Sequence, residues 1–209
     1  FFTKDTVWFT ENDAVRRGID DFIAAMMYFY INGFDKSASH ANLWSAYAVN
    51  SPEDKHQGKF KTVFNRFMRL LKKNDGLKAL PNRNSIFDLW TLYVQEIKQG
   101  KTIDANTMKT LVSDFVDVVG NIVKEKKTYS HPSWKEPKSF ETIVAGRQPT
   151  NNKMRYELIS ERLGMNKYFT QLDKKRVVSN LEKLGAAVAS GWKTPEGKNI
   201  DPSKLNDGV

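Results

Sequence analysis

Residues Ala105 to Lys126 read ANTMKTLVSDFVDVVGNIVKEK, and this stretch decides the fold. Met108, Leu111, Val112, Phe115, Val119, Ile122 and Val123 recur every three or four positions. At about 3.6 residues per turn, that spacing gathers them into one apolar stripe along a helix. No segment of the chain alternates apolar and polar residues for long enough to make a strand. The same helical period recurs on both sides of this stretch, so an all-α protein is expected.

Upstream, Ser85 and Asp88 read as a capping pair opening a helix with Phe87, Trp90, Tyr93, Val94 and Ile97 on one side and Gly100 as its stop. Leu77 to Arg83, with Pro81, reads as a connector. Before it, Ser51-Pro52-Glu53-Asp54 offers a capping hydroxyl, a proline for the first helical position and acids for the first turn. That helix is expected to reach about Asn74, with Asp75-Gly76 as the exit. A short helix after Ser39 would carry Leu43, Trp44 and Tyr47. The first helix would follow Thr10 and Asp13 and end at Asn32-Gly33.

Downstream, residues 127–150 lose the period and contain Pro132, Pro137 and Pro149. They read as a connector and as the boundary between a main helical domain, residues 10–126, and a C-terminal helical unit, residues 151–191. In that unit one helix carries Met154, Leu158, Ile159 and Leu163 up to Gly164, and a second follows Asp173 with Val177, Val178, Leu181, Leu184 and Val188. Residues 1–9 read as an extended arm and 192–209 as a tail. The expected architecture is a multi-helix bundle of about seven helices between that arm and that tail.

Composition limits function. The 209 residues are 40% apolar and 12% aromatic, enough for a core without metal or disulfide. With no cysteine there is no thiol nucleophile, disulfide or thiolate zinc site, which suits a reducing compartment, cytoplasm or virion. No apolar run approaches the ~20 residues of a membrane span, so no membrane partner is expected. The chain starts at Phe1 rather than Met, as a processed or trimmed chain would. Lys and Arg number 33 against 24 acids, a net +9 that draws phosphate backbones or other anionic surfaces.

The basic residues are not evenly spread. Between Lys59 and Lys73 lie six basic residues and no acid. In the same helix Phe60, Val63, Phe64, Phe67, Met68 and Leu71 form the apolar stripe, leaving Lys55, Lys59, Arg66, Arg69 and Lys73 on the other side in a row that Thr62 completes. Cations at regular intervals on a rigid element suit phosphate neutralisation, with Thr62 and Asn65 as neutral donors. A second basic region, Lys124, Lys126, Lys127, Lys135 and Lys138, is interleaved with Tyr129, His131 and Trp134. Aromatic faces among lysines suit stacking of single-stranded bases, unless the rings only anchor the segment to the core. The stretch Leu158 to Lys167 also has a helix-turn-helix look around Gly164.

Catalytic signatures are missing. His40, His56 and His131 lie far apart with no ligand spacing, there is no Walker or GxGxxG sequence, and the acid pairs Asp20/Asp21 and Asp114/Asp117 suit a solvated surface. No metal, cofactor or enzymatic activity is expected. The expected function is nucleic-acid binding, to single-stranded RNA or DNA, through Lys55, Lys59, Lys61, Arg66, Arg69, Lys73, Lys127, Trp134 and Lys135. It would be that of a nucleocapsid or coat-type subunit or of a DNA-binding replication or regulatory factor. Phe1, Phe2, Trp8 and Trp192 would contact neighbouring subunits of a homo-oligomer. The alternative is an adaptor in a larger assembly that docks through those aromatic arm and tail residues.

Overall fold

The computed structural model describes residues 18–36, 56–73, 75–146 and 148–172. The fold is all-α: seven α-helices and a few two-residue strands occur among the described residues. The expected arm, tail, short helix after Ser39 and second C-terminal helix lie outside them, as do Phe1, Phe2, Trp8, Lys55 and Trp192. The chain divides into two compact units, residues 1–170 and 171–209, and every element below belongs to the first.

In chain order these are α1 (Gly18–Asn32), α2 (Gln57–Lys73), α3 (Gly76–Ala79), α4 (Arg83–Lys98), β1 (Lys101–Thr102), α5 (Ala105–Lys124), β2 (Thr128–Tyr129), β3 (Lys138–Ser139), α6 (Phe140–Ala145) and α7 (Pro149–Leu163). A 3-10 turn, Met165–Lys167, follows.

Helix α4 is the axis of the bundle. It is buried on every side, from Ser85 to Val94, which marks a helix enclosed by others. Trp90 is fully buried and meets Phe60, Phe64 and Phe67 of α2 edge-on at 5.2–6.0 Å. Its indole N–H donates to the Met26 carbonyl of α1 at 3.0 Å, so one side chain joins three helices. Helix α5 packs against α2, α3 and α7. Its stripe is buried at Met108, Leu111, Val112, Phe115 and Ile122, and Val123 emerges near the helix end.

Two expectations are corrected. Helix α4 is capped by Asn82, whose side-chain oxygen accepts from the Ser85 N–H at 3.0 Å, so Ser85 and Asp88 lie inside the helix. Asp88 is instead half of a buried ion pair, accepting from Arg155 Nε of α7 at 2.8 Å. The same guanidinium, through Nη1, donates to the carbonyls of Ile143, Val144 and Gly146 at 3.4–3.5 Å, at the end of α6. A cation suits a helix C-terminus, where unpaired carbonyls concentrate negative charge.

The second correction concerns residues 127–150. Rather than dividing domains, they contain the antiparallel pair β2–β3, registered Thr128 with Ser139 and Tyr129 with Lys138, and then α6. Ser139 caps α6 by accepting from the Thr142 N–H, and Phe140 and Ile143 are buried. Helices α6 and α7 pack against each other and α7 against α4 and α5, so residues through Thr170 form one unit. Gly164 ends α7 as expected, in the left-handed region at φ 63°.

Candidate nucleic-acid interface

Helix α2 is fixed from beneath. Phe60, Phe64, Phe67, Met68 and Leu71 are buried against α4 and its neighbours, which sets the rotation of the helix about its own axis. Lys59, Lys61, Thr62, Arg69, Lys72 and Lys73 are consequently exposed. Among the described residues no acid pairs with Lys59, Lys61, Arg69, Lys72 or Lys73. Five cations on one rigid element are thus left without an acidic partner among the described residues.

Two members of the expected row do other work. Arg66 is half-buried and its Nη2 donates to Thr102 Oγ1 of β1, which fastens α2 to the turn after α4. Thr62 donates its hydroxyl proton to the Gly58 carbonyl at 3.1 Å, so it has no proton left for a phosphate. Beneath α2, where Tyr93 packs on Phe67, the Tyr93 hydroxyl is buried with no hydrogen-bond partner among the described residues. Burial pushes that phenol up to about 12, and the Arg66 and Arg69 charges pull the other way. Tyr93 therefore stays neutral and adds no negative charge beneath the cationic face.

The second basic region is built differently. It is carried by the end of α5 and the β2–β3 hairpin, whereas α2 rests on α1, α3 and α5. Tyr129 packs against the core, but Trp134 does not. Lys138 Nζ sits 4.6 Å from the centre of the Trp134 ring, and the His131 ring lies 5.6 Å away. One indole face is thus already occupied by a cation of the same hairpin. Lys127 is paired with Glu125 at 3.2 Å, and Arg162 grips the same carboxylate through two nitrogens at 2.5 and 2.8 Å. That fork, with Lys127 behind it, holds Glu125 down to about 2. Lys135 is exposed with no ion-pair partner among the described residues. Lys124 and Lys126 are likewise exposed, so of the expected second region Lys127 and Lys138 are engaged, while Lys124, Lys126 and Lys135 have no ion-pair partner among the described residues.

Chemistry other than charge is sparse among the described residues. His131 Nδ1 meets Ser133 Oγ at 2.8 Å but also accepts the Ser133 backbone N–H at 3.1 Å, the geometry of a side chain closing its own turn. Asp114 accepts from the Tyr168 hydroxyl at 2.5 Å and from Lys167 at 3.3 Å, and the tyrosine bond is the main reason its carboxyl sits below the usual range. Those bonds, with Met165, Tyr168 and Phe169 buried, leave no recognition helix directly after Gly164, so the helix-turn-helix resemblance fails there. The depression of about 240 Å³ between α3 and α5, with Lys109 and Asp117 on its rim, is smaller than the ~300 Å³ at which ligand pockets begin. Among the described residues no cluster of acids and histidines is arranged to hold a metal, and no helix is long and apolar enough to cross a membrane.

No protein-family model, curated protein or solved structure matches the chain.

Proposed function

We propose that the chain is a non-enzymatic nucleic-acid-binding protein that holds phosphates against the outer face of α2. One observation carries this reading: Lys59, Lys61, Arg69, Lys72 and Lys73 are exposed and pair with no acid among the described residues, on a helix locked in rotation by its phenylalanines. A surface cation usually has a nearby acid to offset it. Here the sign is uninterrupted over the length of the helix, which suits a polyanion with regularly spaced charge. Arg66 positions the helix, and the hairpin contributes Lys135 at most.

The test is fluorescence anisotropy with single-stranded RNA, single-stranded DNA and duplex DNA at about 50 and 200 mM salt. Wild type is compared with a K59A/R69A/K73A variant, in which Arg66 is kept so that the helix stays fastened. With five phosphates neutralised and a log–log slope near −0.9 per contact, a fourfold rise in salt weakens duplex binding about 500-fold. The variant should lose most of the affinity and more than half of that slope. Absence of binding at the lower salt, or an unchanged variant, would overturn the proposal.

A further inference from the structure

We infer that the ligand is B-form duplex DNA, with α2 seated in its major groove; this rests on the phosphate-binding function proposed above. The angular distribution of the side chains carries the inference. At about 100° per residue, Thr62, Arg69 and Lys73 stand opposite the buried stripe, Lys59 lies on one flank, and Lys61 and Lys72 lie on the other. A single strand running along the helix would engage one flank. Cations on both flanks match an anion with two walls.

The dimensions agree. Seventeen residues give a helix about 25 Å long and, with side chains, ~10–12 Å across, against a major groove ~12 Å wide. The major groove of A-form RNA is too deep and narrow to admit it. The face also lacks what single-stranded ligands need. All three phenylalanines of α2 point inward, and no aromatic ring is among the exposed large hydrophobic residues described. At the crest Arg69 offers the fork that pairs with a guanine edge, while Thr62 presents a methyl group and an acceptor oxygen. The charges of the four lysines and Arg69 on the phosphates then dominate affinity, and Arg69 and Thr62 at the crest add only a modest sequence preference.

The experiment compares one 24-base-pair sequence as duplex DNA, duplex RNA and single-stranded DNA, and adds dimethyl sulfate footprinting, which reads guanine N7 in the major groove. The variants are K59A and K61A/K72A, one for each flank. Duplex DNA should bind at least tenfold more tightly than the other two, with guanine N7 protected in the complex. Both variants should weaken binding, and K61A/K72A should flatten the log–log salt slope by about 1.8. Equal binding of duplex RNA, unprotected N7, or dependence on one flank alone would overturn major-groove docking and leave phosphate binding standing. Failure to bind any of the three at low salt would overturn both. All substituted residues are exposed, and circular dichroism of each variant confirms that it folds.

Discussion

Replacing Arg155 with methionine keeps most of the side-chain length and removes the charge. Arg155 and Asp88 are both almost fully buried, so the change strands a carboxylate in the interior with its 2.8 Å partner gone. Breaking a buried pair from one side costs about 3–5 kcal/mol. The three carbonyl contacts at the end of α6 are long, at 3.4–3.5 Å, and add little to that figure. For a domain of this size each kcal/mol moves the melting temperature by about 2–4 °C, so the melt should fall by about 6–20 °C. The loss should depend on pH. Burial already raises the Asp88 carboxyl, and Arg155 only partly offsets this. Without Arg155 the folded-state pKa lies further above its unfolded value, so the protonated form stabilises the fold at low pH and that contribution is lost as pH rises. The deficit of the variant should therefore be larger at pH 7 than at pH 4. The double variant D88L/R155M removes both charges and should be more stable than R155M alone, because apolar replacement of a buried pair is often neutral or better. Thermal melts followed by circular dichroism, closed as a double-mutant cycle, give each value. A loss below about 1 kcal/mol for R155M, or a double variant as unstable as the sum of the singles, would refute the buried-pair account.

Other expectations follow from single contacts. Gly146→Ala places a Cβ 1.8 Å from the Asn151 amide nitrogen, which is buried and donates to the Ile143 carbonyl; urea unfolding should show a loss of about 1–3 kcal/mol, relieved in part when Asn151 is also truncated. Trp90→Ala should cost about 3–5 kcal/mol, and the smaller Trp90→Phe loss should include the bond to Met26; equal stability of W90F and wild type would deny that bond any weight. Glu125 is held near 2 when folded, so the Arg162 fork stabilises the protein above the ordinary glutamate pKa, and that contribution disappears as pH falls toward 2. Melting curves of wild type and Arg162→Met should accordingly differ at pH 6 and converge only as pH reaches about 2.

The sequence showed most clearly what is local and periodic. The stripes of α2 and α5 can be read from spacing alone because each helix buries one face, and Gly33 and Gly164 announce the helix ends they form. The start of α4 is ambiguous in the sequence because Ser85 and Asp88 imitate a cap, while Asn82 competes for the same role three residues earlier. What settles the matter is Arg155, 67 residues away in the chain, which no local pattern connects to Asp88. Helix α6 has six residues, too few for a period to register, and is held by tertiary contacts. At the interface, Lys59, Arg69 and Lys73 of the expected row are exposed on α2, but spacing leaves two facts invisible. Arg66 is engaged by a threonine 36 residues later, and Lys127 by a carboxylate that also serves Arg162.

The enclosure of α4 bears on how the molecule opens. A helix surrounded on all sides has no face from which it can fray into water, and Trp90 ties it at once to α1 and α2. Its amide hydrogens between Ile86 and Val94 should exchange with deuterated solvent only when the whole first unit unfolds. The slowest of those exchange rates then reads the global stability of the unit directly, and a polyanion bound to the outer face of α2 should slow them all by one common factor.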